Sequence, residues 1–344
     1  MRLFSYRNRA RFAKAALIIG VILAVLLAMF WIAVAYLDRY IVYDQNGAHL
    51  DPDWQENSNS DMVLTPSVEV DITYLDADTV LDSASRPITG YYVTTDMLQD
   101  LHALEDALAD ESIYAVMFDM KNDYGTCYFP TSRSNAPVSS AVDIEAVAEL
   151  IDTLSNRGVH LIARIPAFVD YTYSLAHVEL GLPVSGGALW SDENGNYWMD
   201  PANSSTIGYL EQICMDLQDL GFDEIVFDRF RFPDTTSIVY DETDRTKTEV
   251  IANAARALQS SLTALDLDVS FGIRTDTAFP YLLTGEHLYF QVTSGTDIDS
   301  IAALQAESVT NTETQLVFLS ASQCSAIESY GHLYPAPIQT TESE

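Results

Sequence analysis

Between Gly90 and Ala321 short apolar runs alternate with longer amphipathic stretches, and no other feature restricts the fold of this chain as strongly. Seven runs stand out: Gly90–Thr94, Ala115–Lys121, His160–Phe168, Glu224–Phe230, Asp268–Thr275, His287–Thr293 and Gln315–Ala321. They are rich in β-branched and aromatic residues, as strands of a buried parallel sheet are. The stretches between them, Met97–Ala109, Asp143–Arg157, Ser205–Leu220 and Lys247–Leu265, carry apolar residues at three- and four-residue spacing, which predicts helices. Asn156-Arg157-Gly158 and Leu220-Gly221 supply a basic residue or a glycine where a helix should stop. No internal sequence repeat is visible.

Strand alternating with helix defines an α/β chain and leaves two main architectures, an open doubly wound sheet or a closed (β/α)8 TIM-type barrel. A dinucleotide-binding sheet would need a G-x-G-x-x-G turn after its first strand, but the turn after Gly90–Thr94 is Thr94-Thr95-Asp96, the start of a helix. No cofactor loop is present, so no cofactor is expected, and the strand count favours the barrel. Only Cys324–Ile338 remains after the seventh run, so the eighth strand is the weak point of the barrel reading and its closure is left open.

The N-terminus has a different character. Ala15–Leu37 contains no charged residue, long enough as a helix to cross a hydrocarbon layer of about 30 Å. Arg2, Arg7, Arg9, Arg11 and Lys14 precede it and Asp38 follows, so the positive-inside rule predicts a single-pass, signal-anchor transmembrane helix with the bulk of the chain outside the cell membrane. Ala33-Val34-Ala35 has the small-x-small form of a signal-peptide cleavage site, a competing reading that also leads to export. The expected layout is a basic tail at 1–14, a membrane helix at 15–37, an acidic spacer at 38–86, a barrel at 87–338 and a tail at 339–344. Within the spacer only Val68–Tyr74 alternates like a strand.

Those five cations are among only 17 in the 344 residues, so the part after the apolar run is more acidic still than the net charge of -33. Such a surface repels phosphate backbones and has no basic groove, so nucleic acid is excluded as a partner. Cys127, Cys214 and Cys324 are odd in number and lack metal-ligand spacing, so they are expected to be incidental thiols, with no metal site. No G-x-S-x-G or HExxH motif suggests a protease.

In a barrel of this kind chemistry sits where strands end. Charged residues occur there: Asp119 and Lys121 at the second strand, Arg164 and Asp170 at the third, Asp228 and Arg231 at the fourth, Arg274 and Asp276 at the fifth. The blocks GFDEIVFDRFRFP at Gly221–Pro233, YWMDP at Tyr197–Pro201, FDMKNDYG at Phe118–Gly125 and ARIPAFVD at Ala163–Asp170 resemble a family of putative glycoside hydrolase domains, TIM barrels related to α-amylase-type enzymes. The resemblance covers Gly90 to about Pro233. It implies a polysaccharide or glycan as partner, of the cell envelope or outside it, and Asp228, ending the fourth strand, as nucleophile. The alternative is an inactive barrel that binds a glycan or an envelope protein. Family members are expected to follow the fifth strand with a GQ-type segment and a sixth strand rich in Asp, Tyr, Pro and Met; Thr284–Ser294 departs from that pattern.

Spacing limits which carboxyls can work together. Glu224 and Asp228 share a face of one strand but lie roughly 13 Å apart, whereas glycosidic cleavage uses carboxyls separated by about 5–5.5 Å or about 6.5–9.5 Å. Asp228 therefore needs a partner from elsewhere: Asp119 or Asp276, with Asp170 as a loop alternative. Glu224 is expected to be structural, near the barrel floor or capping the preceding turn. Arg231 is placed to keep Asp228 ionised. Asp119, Arg164, Asp228 and Arg231 are alternatively a buried ion network that caps the barrel. Lys121 and Asp123 are candidates for sugar hydroxyls, and Asp200 lies beside the SDENGN loop. Of the flanking aromatics Trp190, Tyr197 and Trp198, Trp198 is the leading candidate for contact with a sugar face.

Overall fold

The structure, a computed structural model, describes residues 41–44, 47–50, 86–275, 285–293 and 295–338. The apolar run 15–37, the alternating stretch 68–74, Asp276 and the tail 339–344 lie outside the described residues. The chain divides into two compact units, Met1–Tyr74 and Leu75–Glu344. In the first, β1 (Ile41–Asp44) and β2 (Gly47–Leu50) pair as an antiparallel hairpin inside the expected spacer. No helix of the described residues is long and apolar enough to cross a membrane.

The second unit is a closed barrel of eight parallel strands: β3 (Thr89–Val93), β4 (Ala115–Asp119), β5 (His160–Pro166), β6 (Glu224–Asp228), β7 (Asp268–Ile273), β8 (Leu288–Val292), β9 (Leu316–Ser320) and β10 (Gly331–Pro335). All seven expected strands are present. The question left open at the eighth strand is answered by β10, which pairs in parallel with both β9 and β3 and closes the circle. Its sequence, GHLYP, has too few apolar residues to stand out, but an eighth strand bonded on both sides needs little hydrophobic pattern of its own. Gly331 is required there: a Cβ would come within 2.9 Å of a Val317 methyl and 3.0 Å of the Leu316 carbonyl.

Helices α1 (Leu101–Ala107), α2 (Ile144–Asn156), α3 (Tyr171–Ala176), α4 (Ser204–Leu220), α5 (Lys247–Thr263), α6 (Ile298–Gln305) and α7 (Thr312–Gln315) lie in the connections. Local chemistry fixes their ends. Thr246 and Glu249 form a reciprocal capping box at α5, and Gly221 ends α4 in the left-handed conformation (φ 103°). The expected helix from Met97 is instead a short 3-10 turn, Met97–Gln99, followed by α1. Asp100 interrupts the run because its carboxylate accepts from Ala103 N and starts a new helix.

Side-chain alternation sorts the core into two sets. One set, including Tyr92, Met117, Ile162, Val226, Tyr289 and Leu333, fills the barrel interior. The larger set, including Phe118, Leu161, Ile225, Phe227 and Phe271, packs between the strands and the helices. The interior phase then carries on to both ends of the strands. It places His160 and Glu224 at the floor and Asp119, Arg164 and Asp228 at the mouth.

Candidate active site

Asp119 and Arg164 are register partners on β4 and β5, and their side chains meet in two hydrogen bonds, Nε to Oδ1 at 2.6 Å and Nη2 to Oδ2 at 2.9 Å. Burial disfavours the Arg164 charge, but the bonds and the Asp119 charge outweigh it and hold the guanidinium protonated more firmly than usual. Asp228 and Tyr92 also lie within its electrostatic range. Asp119 is therefore engaged with Arg164 rather than free to work opposite Asp228.

The loop after β4 contributes the second carboxyl. Asp123 lies within electrostatic range of Asp228 and Asp192, and Arg229 Nη2 reaches its Oδ2 at 3.4 Å. Burial raises the Asp123 pKa; the Arg229 charge opposes this and the Asp228 charge adds to it. Asp123 thus holds a proton more readily than an ordinary carboxyl, within electrostatic range of Asp228 at the end of the fourth barrel strand.

Between the two stands Arg229, whose backbone is left-handed (φ 54°), an uncommon conformation for an arginine. Its N–H donates to Asp228 Oδ1 at 2.8 Å, and its Nε is buried with no hydrogen-bond partner. Packing holds the strain in place. The adjacent Phe230 is buried against Phe168, Phe271 and Phe227, with ring centroids 4.7, 4.8 and 5.8 Å away. Gly272 lies under Asp228, where a Cβ would come within 3.2 Å of Oδ1.

The other expected site residues are placed as follows. Lys121 and Asp170, expected to bind substrate, form an ion pair at 2.8 Å with both side chains 0% exposed. Asp170 also accepts from Tyr209 Oη and Tyr173 N, so it builds the wall and is closed to a ligand. Gly125, at φ 89°, leaves room for it, since a Cβ would come within 2.1 Å of Asp170 Oδ1. Arg231 sits 5.2 Å over the Trp198 ring and bonds the Phe232 carbonyl and Asp234. Trp198 is only 3% exposed and donates Nε1–H to Asp192, so its face is not available to a sugar. Asp200 accepts from Ala202 N and Tyr240 Oη, and burial raises its pKa. Asp276 lies outside the described residues. The three cysteines are free thiols, and burial pushes Cys127 up to about 12.

Two features were not singled out by the sequence. Arg229 had only its place in the Asp-Arg-Phe-Arg-Phe block to mark it. Tyr124 and Tyr171 lie in different connections, and only the fold stacks them, Tyr124 on Tyr171 (4.6 Å, 30°) and Tyr171 on Tyr197 (5.2 Å, 15°). Asp123 was legible as a loop carboxyl, but its pairing with Arg229 and Asp228 was not.

Residues 89–280 match the model of a family described as putative glycosyl hydrolase domain, more than half of the chain. The chain belongs to that family. A hypothetical protein from Ruminiclostridium thermocellum shares 26% identity over 52% of this chain and 96% of its own, with a TM-score of 0.44. The α-galactosidase from Lactobacillus brevis aligns over 75% of this chain and 38% of its own, at 11% identity and a TM-score of 0.51. An inactive mutant of the exo-β-N-acetylglucosaminidase from Vibrio harveyi aligns over 69% and 42%, at 10% identity and a TM-score of 0.50. The chain thus spans about two-fifths of the length of these glycosidases, and at such identity the likeness is one of fold. No curated protein matches the sequence. This family member is a glycoside-hydrolase-like TIM barrel.

Proposed function

We propose that the protein is a membrane-anchored glycoside hydrolase that acts on a cell-envelope or extracellular polysaccharide through Asp228 and Asp123. The observation that carries this reading is the half-buried Asp123, its pKa raised, within electrostatic range of the strand-end Asp228 and joined to it through Arg229. Glycosidic cleavage needs two carboxyl groups, one to donate a proton and one to attack or to activate water, and a raised pKa suits the donor. Asp123 is the acid: its proton goes to the leaving glycosidic oxygen as the C–O bond breaks. Asp228 supports the oxocarbenium-like carbon or bonds to it. Arg164 and Arg231 keep positive charge near Asp228. The anchor reading rests on the uncharged run 15–37 and the cations before it.

The test is hydrolysis of a panel of cell-wall and exopolysaccharides by the full-length protein in mild detergent, beside its Asp228→Asn variant with matching circular dichroism. Turnover in the parent, abolished in the variant, is expected. A second reading, a barrel that binds glycan without cleaving it, is favoured by the departure of Thr284–Ser294 from the family pattern. Glycan retention with no turnover in either protein would select it.

A further inference from the structure

Five large apolar side chains of the described residues are conspicuously exposed, and four of them are at the mouth: Tyr124 after β4, Leu175 and Val178 after β5, and Val239 after β6. Tyr124 is the most informative. The residue is 56% exposed, yet it is held firmly. It caps the Tyr171–Tyr197 stack, and its carbonyl accepts both the N–H of Thr172 at 3.2 Å and the Oγ1–H of Thr172 at 2.8 Å. An exposed tyrosine on an unsupported loop would sample many rotamers; this one is fixed before any ligand arrives.

The stack also joins the carboxyl pair. Tyr124 follows Asp123 in sequence, and Tyr171 N donates to the Asp123 carbonyl at 3.2 Å. We propose that Tyr124, backed by Tyr171 and Tyr197, is a preorganised platform for the apolar face of a pyranose, and that its ligand is a neutral polysaccharide chain. This deepens the glycosidase reading above and rests on it for the identity of the ligand as a glycan.

Aromatic rings suit the C–H face of a sugar because they remove apolar surface from water while leaving the equatorial hydroxyls free. The charge around the ring decides against anionic polymers. Asp192 and Asp228 lie within electrostatic range of Asp123, the neighbour of Tyr124 in sequence, and the arginines of this end are already committed, Arg164 to Asp119, Arg229 to Asp123 and Arg231 to Asp234. A uronate or phosphate polymer would find those cations already paired, on a chain whose net charge is -33.

The experiment is retardation of the full-length protein in native gels containing hydroxyethylcellulose, glucomannan or galactomannan, with polygalacturonate as the anionic counterpart. Parent, Asp228→Asn, Tyr124→Ala and Tyr124→Phe are compared, each with its melting temperature. At least one neutral polymer is expected to retard the parent and Asp228→Asn alike. Tyr124→Ala should bind roughly tenfold more weakly, and Tyr124→Phe should bind as the parent does.

Equal retardation of Tyr124→Ala and the parent would overturn the platform, as would no retardation of the parent by any neutral polymer. Equal or stronger retardation by polygalacturonate would overturn the assignment of a neutral ligand. Hydrolysis is scored separately. Tyr124-dependent binding without turnover in the parent keeps the platform and removes the enzyme, whereas Asp228-dependent turnover with Tyr124-independent binding does the reverse. A contact surface for an envelope protein would give neither.

Discussion

The two ends of the barrel use the same kinds of residue and treat them oppositely. At the floor Glu224 is fully buried and every partner is in place: His160 Nε2, His287 Nδ1 and Tyr289 Oη each lie 3.0 Å from its oxygens. Burial alone would raise its pKa, but the two histidines outweigh that and hold the carboxyl well below its usual range. At the mouth Asp123 has a single long ion-pair contact, Arg229 is strained with an unpartnered Nε, and Tyr124 faces solvent. The difference separates a cluster finished by folding from one left open to a ligand.

The contrast breaks most readily at Asp228. Asn there should lower turnover on a polysaccharide substrate by at least roughly 10⁴-fold in steady-state assays, with the melting temperature unchanged. A variant that lost stability and activity together would place Asp228 with the floor cluster. Asp123→Asn should cost roughly 10² to 10³-fold and remove the alkaline limb of the pH–rate profile, because the raised Asp123 pKa sets that limb.

The opposite outcome is expected below. Glu224→Ala should cost about 3 kcal/mol in urea unfolding, since two buried histidines lose their counter-charge, and turnover per folded molecule should be retained. The floor also predicts a pH window. His160 and His287 have raised pKa values: burial opposes their charge, but the Glu224 bonds and charge prevail. Their contribution is complete below the unfolded value of 6.5 and is lost as pH rises through the folded values. That of Glu224 is complete above its unfolded 4.5 and is lost as pH falls through its lowered value. Stability of the parent should therefore be highest between these limits and decline on the alkaline side. Glu224→Gln should flatten that decline in melting temperatures measured from pH 5 to 9.

The smallest effect carries the sharpest sign. Arg229→Gly relieves a left-handed backbone and should raise stability by about 1 kcal/mol while lowering turnover. A loss of stability instead would mean that Arg229 is held for folding, as Glu224 is.

Much of the barrel was legible because strand and helix leave different periods in the sequence. Seven strands and the helices from Asp143, Ser205 and Lys247 emerge from patterning and capping residues alone; strand alternation put Glu224 and Asp228 on one face and the strand rise put them far apart along it. The eighth strand was not legible because GHLYP gains its place from two neighbours rather than from its own pattern. The site divides in the same way. That Asp228 ends the fourth strand is a local fact, and sequence determined it. That Asp119 is engaged by Arg164, that Lys121 and Asp170 neutralise each other in the wall, and that Asp123 and Tyr124 face the mouth depend on which loops meet. Those are long-range contacts between residues 40 to 110 positions apart, set by barrel closure. Only the tertiary structure decided them, because a side chain's charge and exposure are properties of its neighbours in space.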